Sequence, residues 1–214
     1  MNSATQLLSI SGPVGNIDVA LDLPSAGEPV RGVAVIAHPH PLFGGTRDNK
    51  VVQTLARALT SIGFVCWRPN FRGIGDTEGV HDEGRGETED ILAVVQAALA
   101  HESAPHDPQL LLAGFSFGSF VQTHVADRLN ERGQSVQTLV LIAPAVSRFE
   151  VLAPLARTLV VHGETDDVVP LASVMDWARP HDLPIVVVPG ADHFFHRRLP
   201  LLKRIVSEWV RGGG

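Results

Sequence analysis

Six short apolar runs, GVAVIAH, FVCWRP, LLLAGF, TLVLIAP, TLVVHG and PIVVVP, recur along the chain, and longer amphipathic stretches separate most of them. This alternation constrains the fold more than any other feature. Within the runs Val, Ile and Leu follow one another without the strict apolar–polar alternation of a half-exposed strand, as expected of strands covered on both faces. The stretches NKVVQTLARALTSIG, ETEDILAVVQAALAH, FGSFVQTHVADRLNERG, LASVMDWARP and LPLLKRIVSEWV read as helices. In the second, Ile91, Val94, Val95 and Ala98 share one face by their three- and four-residue spacing. Strands separated by helices pair in parallel, because the crossover returns the chain to the same end of the sheet. Ahead of them, SGPVG joins LLSI to NIDVALDL as a hairpin. No linker, repeat or low-complexity tract interrupts the pattern, so residues 1–214 are expected to form a single three-layer α/β domain.

Composition narrows the function classes. With 44% hydrophobic and 19% charged residues the chain can bury a large core. Its net charge of -6 and its lack of a Lys/Arg cluster argue against nucleic acid as a partner. The uncharged stretch Pro108–Ala126 contains Gln109, Gln122, His124 and several Gly and Ser, so it reads as strand, turn and helix rather than a membrane span. MNSATQLLSISGPVG lacks the basic start and continuous apolar run of a signal peptide. Cys66 is the only cysteine, which excludes an intrachain disulfide and is compatible with a reducing cytoplasm, the expected location. A monomer or homodimer is expected.

In an open parallel sheet, ligands gather beyond the carboxyl ends of the strands. Four such ends carry polar or glycine-rich loops here: HPHPLFGGT, FSFG, HGETDDVVP and PGADHFF. Ser116 stands in GFSFG between an apolar strand and a helix, with Gly114 and Gly118 two residues to either side. A sharp strand-to-helix turn needs small residues there, since backbone and helix approach closely. The helix that follows aims its free amides and dipole at the Ser oxygen. A Ser hydroxyl is a weak nucleophile and needs a base, which in turn needs an orienting acid. His193, in the loop after the last strand, is the best base. The acid falls in HGETDDVVP, on Asp166 or its neighbour Asp167. Asp192 adjoins His193, but adjacent side chains diverge, so a capping role fits it better. An oxyanion needs donors already in place, and without a single Tyr these are backbone amides. One is Phe117, directly after the Ser; the other comes from HPHPLFGGT, on Leu42 first and His40 second, with Gly44 and Gly45 shaping the turn. Phe115 is expected to pack beside the site.

HPHPLFGG, NFRGIGDTEG, GFSFG, HGETDDVVP and GADHFF, in this order from about Gly32 to Trp209, resemble the α/β-hydrolase superfamily, and within it the compact serine hydrolases related to dienelactone hydrolase, which include carboxylesterases. The resemblance implies an α/β-hydrolase fold, a mostly parallel central sheet with helices on both faces. It places the acid on Asp166 and the base on His193, and through LFG it favours Leu42 as the oxyanion amide. Dienelactone hydrolases themselves use a Cys nucleophile, whereas this elbow holds Ser116 and Cys66 lies in a strand. Where many superfamily members insert a cap domain, only AVSRFEVLAPLA intervenes before the next strand, so no cap and an open site are expected.

The combined reading is a serine hydrolase acting on a small-molecule ester with a small or exposed acyl group, through an acyl-enzyme on Ser116, with no metal or organic cofactor. A thioesterase or acyltransferase would use the same residues, and a noncatalytic binding protein on this fold would be expected to have lost one of them. HPH with His162 and His193 suggests a metal site only weakly, since the acid and second His of a di-metal loop are missing. His162 and His124 read as packing or hydrogen-bonding residues, and Cys66 as core. Arg72, Asp76 and Glu78 read as a solvated loop ahead of a pocket-rim role; Glu87 and Asp90 read as first-turn acids complementing a helix dipole.

Overall fold

The computed structural model describes residues 5–25, 27, 29–154 and 157–212. The first four residues, read above as lacking a leader, and Leu155 and Ala156, at the end of the short connector, lie outside them. Eight strands form one sheet in the order β1-β2-β4-β3-β5-β6-β7-β8: β1 Thr5–Gly12, β2 Gly15–Asp22, β3 Gly32–Ala37, β4 Phe64–Pro69, β5 Gln109–Phe115, β6 Thr138–Ile142, β7 Arg157–Gly163 and β8 Ile185–Val188. β1 pairs with β2, and β2 with β4, in antiparallel fashion; every other pair is parallel. The six expected runs are β3 to β8 in sequence.

Helices α1 Lys50–Thr60, α2 Arg85–Ala100, α3 Phe117–Glu131, α4 Leu171–Ala178 and α5 Leu199–Arg211 cover both faces. β3 shows how strands buried on both faces divide their residues. Val33, Val35 and Ala37 point into one core with α2 and α3, while Ala34 and Ile36 point into the other with α1 and α5. Ile91, Val94, Val95 and Ala98 of α2 are all fully buried in the first core. Val51, Leu55 and Leu59 of α1 meet Leu202 and Val206 of α5 in the second. Each such side chain stabilises the fold by roughly 1.5–3 kcal/mol through burial, so neither layer is dispensable.

Local signals set the helix starts. Asn49 caps α1, its side chain accepting from the Val51 amide at 2.8 Å. Cys66 is buried in β4, where burial pushes its thiol up, so it is core as expected. Between β6 and β7 the described residues form no helix, and the fold carries no cap over the carboxyl edge of the sheet. None of the helices is long and apolar enough to cross a membrane.

Candidate active site

β5 ends at Phe115 and α3 begins at Phe117, leaving one residue for the whole change of direction. That residue, Ser116, sits at φ 55°, ψ -116°, a conformation disfavoured for an L-residue and worth on the order of 1–3 kcal/mol of strain. Its amide is fixed to the Ile142 carbonyl at 2.9 Å. The flanking glycines are required by contact: a Cβ on Gly114 would lie 2.5 Å from the Ser119 nitrogen, and one on Gly118 would lie 2.6 Å from the His38 carbonyl oxygen. Phe117 is the first helical residue, so its amide has no carbonyl one turn back to bond within α3.

The loop after β8 brings His193 over this turn. Its Nε2 lies 3.1 Å from Ser116 Oγ, and its Nδ1 lies 2.7 Å from Asp166 Oδ2. All three residues are buried. The other Asp166 oxygen accepts from the amides of Val168 at 2.9 Å and Val169 at 2.8 Å, so the carboxylate is aimed by its own loop. Burial works to raise the Asp166 pKa, but the hydrogen bond to His193, the Val169 amide and the charge of the neighbouring imidazoles outweigh it and hold the carboxyl below its ordinary range. Asp167 is exposed. Asp192 caps its own turn, accepting from the His196 amide at 3.0 Å and lying 2.6 Å from His196 Nδ1. Phe115 packs beside the array, its ring centroid 5.0 Å from that of His193.

His162, at the end of β7, is more closely involved than a packing residue. Its Nε2 donates to the Val169 carbonyl at 2.9 Å and lies 3.5 Å from Asp166 Oδ2, and burial lowers its pKa. It therefore stands beside the same carboxylate oxygen that His193 engages.

The loop after β3 is anchored by His38. Nδ1 donates to the Pro39 carbonyl at 2.6 Å and Nε2 accepts from the Phe71 amide at 2.9 Å. Burial pushes its pKa down to about 4, so it stays neutral around pH 7. Pro41–Phe43 then form a short 3-10 turn. Leu42, the first oxyanion candidate, has its amide engaged within this loop. Its amide points to His40 Nδ1 at 3.3 Å, closing that turn, and its side chain is 68% exposed, outside the lining of the cavity at Ser116. Pro41 at the start of the turn and the His40 ring at its cap draw this amide inward to the loop. His40, the second candidate, does line the cavity.

Arg72, Glu87 and Asp90 depart further from expectation. Arg72 is buried and grips Asp90 with two hydrogen bonds of 2.7 Å, which raises its pKa. Glu87 is fully buried and accepts from the Gly84 amide at 2.8 Å, the Asp82 amide at 3.0 Å and His81 Nδ1 at 2.7 Å. The signal was present: Glu87 and Asp90 lie on the same face of α2 as Ile91 and Val94, so acids there are buried with them. His81 in turn stands 5.6 Å from the Phe117 ring. Asp76 and Glu78 do occupy a surface loop, Glu78 accepting from the Asn16 amide at 2.7 Å. His124 contacts the Glu150 carbonyl at 2.9 Å.

A cavity of about 350 Å³ opens at Ser116 and His193, walled by Phe117, Phe149, Phe194 and Val168 and continued by Asn49 and Arg148. Phe43 and Phe194, both exposed, mark its mouth. Among the described residues no group of three or more His, Cys, Asp or Glu could hold a metal ion.

A Ser on a strained strand-to-helix turn and a His at the far end of a lid-less parallel sheet define a serine hydrolase of the α/β-hydrolase superfamily. Residues 28–158 match the family described as serine aminopeptidase, S33, and the chain belongs to that family. It is similar to an α/β serine hydrolase without lid from Xanthomonas campestris, at 36% identity and a TM-score of 0.88, over 99% of this chain and 95% of that one. An α/β serine hydrolase homologue from Coxiella burnetii is 37% identical with a TM-score of 0.85, over 97% and 98%. A dienelactone hydrolase from Anabaena variabilis shares the fold, at 18% identity and a TM-score of 0.76, over 97% of each chain.

Proposed function

We propose that the chain is a carboxylesterase that cleaves small-molecule esters through an acyl-enzyme on Ser116. The observation that carries this is the continuous contact from Ser116 Oγ through His193 to Asp166, with 3.1 Å and 2.7 Å links. In the proposed reaction, His193 takes the hydroxyl proton through Nε2 as the oxygen attacks the carbonyl. Asp166, held as a carboxylate by its two amides, orients the ring through Nδ1 and stabilises the imidazolium. The collapsing intermediate expels the alcohol, to which His193 returns the proton. Water, activated by the same imidazole, then releases the acid.

The negative oxygen is held by backbone amides. Phe117 supplies one. With the Leu42 amide engaged by the His40 ring, we assign the second to the His40 main chain. A preference for small or exposed acyl groups fits a cavity of about 350 Å³ with an exposed mouth. An aminopeptidase activity is less well supported, because no carboxylate among the described residues lines the cavity to receive a substrate ammonium group.

A panel of nitrophenyl esters of increasing acyl length, a matched thioester and an aminoacyl nitroanilide tests the reading. Short esters are expected to turn over fastest, with fluorophosphonate labelling and turnover both lost in Ser116→Ala. No ester turnover and no labelling of the native protein would overturn it.

A further inference from the structure

The connector that follows β6 does more than replace a cap. Ala143 enters it in a left-handed conformation, φ 44°, with its amide bonded to the Val161 carbonyl at 2.9 Å. The chain then turns tightly, the Arg148 and Phe149 amides both reaching the Ala145 carbonyl at 3.1 Å. Ala145, Arg148 and Phe149 thereby become one wall of the cavity that holds Ser116.

Arg148 stands out on that wall. Among the described residues it is the only permanently charged one lining the cavity, and no carboxylate lines it. Among the described residues, Arg148 forms no ion pair, although the chain has 23 acids against 17 bases. Glu83 and Glu150 lie in the neighbouring groove that shares His40, Phe43, Arg148 and Phe149 with the cavity, and neither forms an ion pair with Arg148 among the described residues. At the same edge Arg72 is neutralised by Asp90 and Arg47 by Asp18, while Arg197 and Arg198, in the loop after β8, lie outside the cavity lining. An unpaired guanidinium beside aromatic walls is suited to a planar anionic group, which it can bind with two parallel hydrogen bonds.

We infer that Arg148 is a specificity-determining residue and that the preferred substrates are esters bearing a carboxylate on an otherwise apolar frame. The inference rests on the acyl-enzyme reading above and names the substrate class of the same site. Phe149 and Phe194 receive the apolar frame, and Arg148 receives the charge.

The test compares charged and neutral partners in two arms. With the charge on the alcohol side, 4-acetoxybenzoate is set against its methyl ester. With the charge on the acyl side, monoethyl adipate is set against diethyl adipate. For each arm, kcat/KM is measured in the native protein and in Arg148→Ala. The ratio of ratios cancels the intrinsic reactivity of the two esters. In at least one arm the substitution should lower kcat/KM for the charged ester roughly tenfold or more while moving the neutral one less than about threefold, with the loss mainly in KM. Arg148→Glu should lower it further, and added salt should erode the preference in the native protein alone. The arm that responds tells which side of the scissile bond faces Arg148. Equal losses on charged and neutral esters in both arms, or none on either, would overturn the inference while leaving esterase activity intact. Absence of turnover on the neutral esters and of fluorophosphonate labelling would instead overturn the reading on which it rests.

Discussion

Two histidine–carboxylate pairs at the carboxyl edge of the sheet have the same contact length and different surroundings. His193 Nδ1 meets Asp166, and His81 Nδ1 meets Glu87, each at 2.7 Å. Beyond His193 lies a Ser hydroxyl on a strained turn; beyond His81 lie the rings of His40 and Phe117. The acids differ as well. Asp166 spends its second oxygen on its own loop, whereas Glu87 ties the Asp82 and Gly84 amides at the start of α2. A carboxylate fixes the tautomer and direction of a ring in both cases. What the ring is aimed at decides whether the pair can activate a nucleophile or only hold a loop. A third pair, His196 with Asp192 at 2.6 Å, is exposed and caps a turn.

Breaking the first pair should give the largest effect. Asp166→Asn is expected to lower kcat for a short nitrophenyl ester by on the order of 10³ or more, because the ring loses its orientation and the imidazolium its counter-charge. Asp167→Asn should change it less than about threefold, as its side chain is exposed. Equal effects in steady-state assays would leave Asp166 without its proposed role.

Next comes the acid sensitivity of His38, which anchors the loop after β3. His38 binds a proton at an ordinary 6.5 in the unfolded chain but only near 4 when folded. Between those values the unfolded state holds the extra proton, so stability is full above the ordinary value and falls as pH drops toward 4. The loss amounts to about 3 kcal/mol. His162 is shifted in the same direction and adds to it. Asp166, shifted below its ordinary range, stabilises at higher pH and loses its contribution only as pH falls through its lowered folded value, at the acid end of the scale. Urea unfolding across pH 4 to 7 checks this. His38→Gln, which keeps an acceptor for the Phe71 amide, should flatten part of the slope; an unchanged slope would contradict the assignment.

The second pair should answer in stability rather than rate. Glu87→Gln weakens three charge-assisted bonds and is expected to cost about 1–3 kcal/mol in chemical unfolding, with kcat kept within about threefold. A kcat loss as large as that of Asp166→Asn would erase the distinction between the pairs. The exposed third pair should matter least: Asp192→Asn is expected to shift stability by less than about 0.5 kcal/mol.

Much of this contrast was legible before any coordinates. The parallel strands were readable because both faces are buried and their residues run without alternation, and Ser116 and His193 because they sit at strand ends inside short motifs. The His81–Glu87 and Arg72–Asp90 pairs were not read, since each joins a loop to a helix; Arg72 lies in NFRGIGDTEG, but Asp90, His81 and Glu87 lie outside the motifs. The acids looked like dipole-complementing first-turn residues, although their place on the face of Ile91 and Val94 implied burial. The engagement of the Leu42 amide was not legible, because the path of a Pro-containing turn depends on the His40 cap, a contact that spacing does not encode. Arg148 was invisible for another reason: its meaning lies in the partner it lacks.

The central claim is a covalent acyl-enzyme on Ser116. Rapid acid quenching during turnover of a short nitrophenyl ester, followed by peptide mass spectrometry, tests it most directly. The account predicts the mass of the acyl group on the peptide containing Ser116, and neither adduct nor turnover in Ser116→Ala. Retained turnover in that variant, or an adduct on another residue, would contradict it.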